Sequence, residues 1–125
     1  MNELVLIVDD NEKNVKLARD VLQFAGFRTL EAATGGTGVL LAVEHRPDVV
    51  LMDIRLPDMD GVDALHTLRG IAATAAIPVV ALTALAMRGD RERFLEDGFD
   101  GYLEKPINVH EFPQQVRAFC GPDNG

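Results

Sequence analysis

Residues 4–10 read LVLIVDD, five apolar residues followed by two aspartates. An apolar run of this length without polar alternation suits a parallel strand buried on both faces, and the acids mark the point where the strand leaves the sheet. The design recurs at residues 49–53 (VVLMD) and at residues 79–83 (VVALT), the latter preceded by Pro78. Two weaker strand candidates complete the set. Residues 28–32 (RTLEA) suit an edge position, and residues 101–104 (GYLE) lead into Lys105-Pro106.

Segments of helical period lie between these runs. Val15, Ala18, Leu22 and Ala25 recur at three- and four-residue steps, with Gly26 as a C-terminal cap. Val39, Leu40 and Val43 mark a second helix. Asp60 is placed to cap a third that carries Val62, Leu65 and Leu68, and residues 91–96, with Phe94 and Leu95, predict a fourth. Val109, Phe112, Val116 and Phe119 predict the fifth, in which Pro113 either occupies the first position or removes one backbone hydrogen bond. Strict alternation of strand and helix with right-handed crossovers predicts an open, doubly wound parallel sheet covered by helices on both faces. A ligand site is expected beyond the carboxyl ends of its strands.

The 125 residues, 47% of them hydrophobic, suffice for one domain and one core. A single cysteine, Cys120, rules out an internal disulfide and is read as a packed or surface thiol. The formal charge of −8 opposes direct binding to nucleic acid or anionic lipid and favours protein partners or cations. No apolar run has the length of a membrane span, and MNELVLIVDD lacks the basic start of a signal peptide, so a cytoplasmic protein is expected.

Asp9-Asp10, Asp53, Thr83 and Lys105 each end or follow a predicted strand. Parallel strands carry all of them to one edge of the sheet. Each alone has an ordinary reading as a cap, a turn residue or a satisfied core hydroxyl; their joint placement points to a pocket. Two unit charges about 5 Å apart, at an effective dielectric of about 20, repel by roughly 3 kcal/mol, so three carboxylates demand compensation. Lys105 supplies one positive charge, and Mg²⁺ suits a site with few carboxylates. A carboxylate, a hydroxyl and an ammonium around Mg²⁺ are the parts that phosphoryl transfer requires.

The motifs LIVDDN, VVLMDIRLPDMDG, PVVALTA and YLEKP, in this order and spacing, strongly resemble the receiver domains of two-component response regulators. Through DDNEKNVKLA and ALTALAMRGDRERFLEDGFDGYLEKPI the chain is most similar to single-domain regulators of the DivK type. The resemblance implies a receiver domain over residues 1–120, with residues 121–125 as a frayed tail, and the strand order 2-1-3-4-5 known from CheY. It further implies that Asp53 is the phosphoacceptor, and that Asp10, Asp53 and the backbone carbonyl of Arg55 bind Mg²⁺ directly while Asp9 acts through a metal-bound water. Lys105 would contact the phosphoryl group, and Thr83 would hydrogen-bond to it with small Ala84 leaving room. Tyr102 matches the aromatic switch position, although a half-buried core tyrosine remains a competing reading. The Lys105-Pro106 bond is often cis in this family. The partners implied are a histidine kinase or histidine phosphotransfer protein and a downstream protein target.

Rival readings are weaker. Asp58-Met59-Asp60-Gly61 echoes part of a calcium loop, but Leu56 and Pro57 precede it and Thr67 stands where a bidentate Glu is needed. A metal-dependent phosphatase forming an aspartyl phosphate needs an acid two positions after the nucleophile, where this chain has Arg55. A flavodoxin-like binding module would want glycines and hydroxyls, not acids, after the first strand. His45, His66 and His110 are predicted on helices and solvated. Arg55 and Leu85, each two positions beyond a site residue, are expected to shield an acyl phosphate from water and so to slow its hydrolysis.

Overall fold

The computed structural model of the protein describes residues 2–84 and 90–120. Its elements alternate throughout: β1 (Leu4–Val8), α1 (Glu12–Phe24), β2 (Arg28–Ala32), α2 (Gly35–His45), β3 (Val49–Asp53), α3 (Gly61–Arg69), β4 (Val79–Thr83), α4 (Asp90–Asp97), β5 (Gly101–Glu104) and α5 (Phe112–Phe119). All five strands pair in parallel in the order β2-β1-β3-β4-β5. The three apolar runs are the three inner strands. RTLEA, the most polar of the five, lies at an edge, where its outer side needs no partner.

Alternate residues of each strand serve opposite faces, which is why the runs are apolar at every position. Ile7, Leu51 and Leu82 pack with Leu22 of α1 and Phe112 and Val116 of α5. Leu6, Val50 and Ala81 face the other way, against Ala42 of α2, Leu65 and Leu68 of α3, and Phe94 of α4. Burial of each large apolar side chain contributes about 1.5–3 kcal/mol, so these two clusters hold the layers together.

Local chemistry sets the helix ends. Asn11 caps α1 by accepting the amides of Lys13 and Asn14 at 3.0 and 3.1 Å, and Gly26, at φ 100°, turns the chain back toward β2. The fifth helix begins at Phe112, so Pro113 falls in the first turn, where its missing N–H breaks no helical bond. Val109 and His110 therefore precede α5 rather than belonging to it, and Val109 is 43% exposed.

The second helix forms as predicted but buries a different face. Gly35, Gly38 and Ala42 point inward with Val39 half-buried beside them, whereas Leu40 and Val43 are exposed. The cause is proximity: a Cβ at Gly38 would stand 2.8 Å from a methyl of Val8, so α2 sits too close to the sheet for larger residues. In α4, Phe94 is buried and Leu95 lies outside. On the far side of the sheet, the Arg69 guanidinium donates to the carbonyls of Ala75, Ile77 and Gly98 and to Asp100, joining the turns that precede β4 and β5.

No helix among the described residues is long and apolar enough to cross a membrane. Cys120 lies half-buried at the end of α5. Burial, reinforced by the charges of Glu3 and Asp48, pushes its thiol up to about 11. Alkylation by iodoacetamide at pH 8 is therefore expected to run about 100-fold slower in the native protein than in urea-unfolded chain, because the thiolate is the nucleophile. Equal rates, followed by mass spectrometry, would contradict that placement.

Candidate phosphoacceptor site

Backbone bonds carry the sheet one residue past each strand end and so fix where the polar side chains emerge. The Asp9 amide donates to the Ala32 carbonyl at 3.0 Å, and the Lys105 amide to the Thr83 carbonyl at 2.8 Å. Asp53 is the last residue of β3, the central strand. The chain enters β5's exit through a cis Lys105-Pro106 bond, as the resemblance implied.

Lys105 Nζ lies 2.8 Å from Asp9 Oδ2 and 3.0 Å from Asp53 Oδ2. Toward Asp53 the ammonium donates a hydrogen bond, and toward buried Asp9 it forms a close ion pair. The other oxygens are held by main chain: Asp9 Oδ1 accepts the Asn11 amide at 2.9 Å and Asp53 Oδ1 the Arg55 amide at 3.1 Å. Asp9 is 2% exposed, whereas Asp10 opens to solvent. Carboxylate oxygens of Asp9, Asp10 and Asp53 all lie within 4.8 Å of one another.

Burial raises the Asp53 pKa and outweighs the stabilisation of its charge by the Arg55 amide and Lys105. Burial opposes the charge on Lys105 as well, but bonding and attraction from Asp9 and Asp53 prevail, so its pKa is raised. At neutral pH Lys105 stays charged, its ammonium set against the carboxylates of Asp9 and Asp53.

Thr83 is buried at the end of β4 and lines the cleft above Asp53, together with Arg55, exposed Ala84 and Lys105. Tyr102 does not line that cleft. It is half-buried on β5, its ring 6.2 Å from that of Phe94 on α4, and it borders a separate groove with Glu104 and Gln115. Leu85 lies outside the described residues. Asn14 and Arg93 also line the cleft, one from α1 and the other from α4. Sequence periodicity had no means of selecting either, because Arg93 is an exposed polar residue and Asn14 a half-buried polar one beside the apolar stripe of α1. His45 and His66 are exposed on α2 and α3, with His66 Nε2 3.2 Å from the Asp97 carbonyl, and His110 is exposed in the turn before α5.

Asp58 and Asp60, the acids of the discarded calcium loop, do not converge on a common point. Asp58 turns away to the first turn of α2, and Asp60 stands at the N-cap position of α3 as expected but makes no side-chain cap bond there.

A five-stranded parallel sheet in this order, with an acid cluster and one lysine at its carboxyl edge, defines a signalling receiver rather than a classical enzyme. The chain belongs to the response regulator receiver domain family, whose model matches residues 5–117. It is 41% identical over 121 residues to the polar-differentiation response regulator DivK of Brucella anthropi, covering 97% of this chain and 98% of the relative, and 40% identical to DivK of Brucella ovis over the same shares. Among solved structures, the receiver domain of sensor histidine kinase PA1611 from Pseudomonas aeruginosa PAO1 superposes with a TM-score of 0.88 at 34% identity, covering 98% of this chain and all of that one. That structure holds a magnesium ion in its active site cleft. Chemotaxis response regulator CheY4 of Vibrio cholerae gives a TM-score of 0.88 at 25% identity, over 95% of this chain and 99% of its own.

Proposed function

We propose that this response regulator is switched by transfer of a phosphoryl group to Asp53 from a phosphohistidine on a kinase or phosphotransfer protein, in a Mg²⁺-dependent reaction in the cytoplasm. The observation that carries the reading is the Lys105 ammonium set between Asp9 Oδ2 and Asp53 Oδ2, at 2.8 and 3.0 Å, beside an open cleft. An Asp53 carboxylate oxygen attacks phosphorus, an O–P bond forms, and the donor's N–P bond breaks with its electron pair returning to the imidazole, which takes a proton from solvent. The Arg55 amide and Lys105 hold Asp53 in place, so little reorganisation is needed as charge moves onto the phosphoryl oxygens.

The residues fit a divalent cation. Three carboxylates present oxygens within 4.8 Å of one another, and the Lys105 ammonium lies against those of Asp9 and Asp53. Asp10, Asp53 and the Arg55 carbonyl would hold Mg²⁺ directly and Asp9 through water. Bound there, Mg²⁺ would supply neutralisation of the charge on the phosphoryl oxygens. Once Asp53 carries the phosphoryl group, the Thr83 hydroxyl would donate to it and Lys105 would pair with it. Tyr102 touches α4 through Phe94, so a rearrangement around Thr83 would reach the α4–β5–α5 face and a protein target there. Arg55, exposed at the mouth of the cleft, would slow hydrolysis by covering the acyl phosphate.

Incubation with a small acyl-phosphate donor and Mg²⁺ tests this reading. Intact-mass measurement is expected to show one stably added phosphoryl group per chain. Continuous donor turnover without accumulation would instead favour a phosphatase.

A further inference from the structure

The loop between β3 and α3 runs Ile54-Arg55-Leu56-Pro57-Asp58-Met59-Asp60. Its inner end is tied by the Gly61 amide donating to the Ile54 carbonyl at 2.8 Å and by an antiparallel bridge between Arg55 and Asp60. Its outer end reaches across to another element. Asp58 Oδ1 accepts the Gly35 amide at 2.8 Å and Oδ2 the Gly36 amide at 2.9 Å, both in the first turn of α2. Those amides have no partner within their own helix, and a carboxylate there also meets the positive end of the helix dipole. The donated bonds, from Gly36 first and then Gly35, hold the Asp58 carboxyl below the ordinary range.

The contact exceeds what α2 needs for itself. Thr34 already caps the helix, accepting the Thr37 amide at 3.1 Å. The fit is also steric: a Cβ on Gly35 would lie 2.6 Å from Cγ of Met59, so the loop lies directly on the helix end. Arg55 belongs to the inner tie, three residues before Asp58, and its amide holds Asp53 Oδ1 at 3.1 Å.

We infer that Asp58 is a positioning residue for the phosphoacceptor site, latching the β3–α3 loop to the N-terminus of α2 and thereby fixing the direction of the Arg55 peptide groups. The effect on metal affinity rests on the Mg²⁺ reading above; the effect on the Arg55 amide does not. Loss of a residue that orients a ligand costs roughly 10–100-fold in metal affinity. Asp58→Ala is expected to weaken Mg²⁺ binding about ten-fold and to speed hydrogen exchange at the Arg55 amide. Asp58→Asn, which keeps one acceptor, should fall between it and wild type. Thr34→Ala is the control: it frays α2 and lowers thermal stability without releasing the loop, so Mg²⁺ affinity should hold. Two results overturn the inference: Arg55 exchange unchanged in both Asp58 variants, or Thr34→Ala weakening Mg²⁺ binding as much as Asp58→Ala. If wild-type protein bound no Mg²⁺, the metal reading would fall, and Arg55 exchange alone would decide whether the latch stands.

Discussion

Asp53→Asn is expected to abolish phosphoryl labelling completely and, without Mg²⁺, to make the protein more stable by about 1 kcal/mol, or roughly 3–6 °C in Tm. Both effects follow from one environment. The carboxylate is the proposed nucleophile, and an amide oxygen cannot replace it. Its charge is also expensive in the folded state, because burial outweighs the help of the Arg55 amide and Lys105. Removing it ends a repulsion with Asp9 and Asp10 of roughly 3 kcal/mol per pair at 5 Å, offset in part by loss of the charge-assisted bond from Lys105.

The pH dependence has a definite sign. A carboxyl whose folded pKa is raised favours the protonated fold, so its contribution is fully present below its unfolded value of about 3.9 and is lost as pH rises through the higher folded value. Wild type should therefore lose stability over that window relative to Asp53→Asn, and the two melting curves should converge in acid. Mg²⁺ should reverse the ranking at neutral pH by stabilising wild type through binding. Differential scanning calorimetry across pH, with and without Mg²⁺, reads all three. A variant less stable than wild type at neutral pH without metal would contradict the account, as would any phosphoryl mass gained by the variant.

Gly61→Ala should be the most damaging single methyl in the loop behind the site, costing about 3 kcal/mol. The added Cβ would overlap the Asp53 carbonyl oxygen and stand 3.0 Å from Ile54 Cα. Both neighbours are main chain. They cannot yield easily, because Asp53 belongs to the central strand and the Gly61 amide is itself bonded to the Ile54 carbonyl at 2.8 Å. The displaced atoms belong to Asp53, the proposed phosphoacceptor, so labelling by a small donor should slow in the fraction that still folds. Gly70→Ala provides the comparison: its nearest neighbour would be the His66 carbonyl at 3.5 Å, an ordinary contact. Urea denaturation should shift the midpoint of Gly61→Ala strongly and that of Gly70→Ala by little. Similar midpoints for the two variants would show that the loop can move aside.

The sequence by itself determined the strands and what they deliver. LVLIV, VVLMD and VVALT could be bounded to the residue because strands covered on both faces are apolar at every position and end where polarity begins. Parallel alternation then carried Asp9, Asp10, Asp53, Thr83 and Lys105 to one edge, and the motifs that hold them resemble those of response regulator receivers. Tertiary structure decided the rest. Whether α2 turned Leu40 and Val43 or Gly35 and Gly38 inward depended on how closely it approaches Val8, a distance no helical period encodes. Asp58 showed in the sequence only as part of a discarded calcium loop, because its partners, Gly35 and Gly36, lie 23 and 22 positions away in the chain. Arg93 and Asn14 reached the cleft as polar residues outside any apolar stripe, where polarity carries no sign of what lies opposite. Hydrophobic burial is a property of the single residue and can be read from its type. Contact between two polar groups depends on where two elements dock, and only the packed fold sets that position.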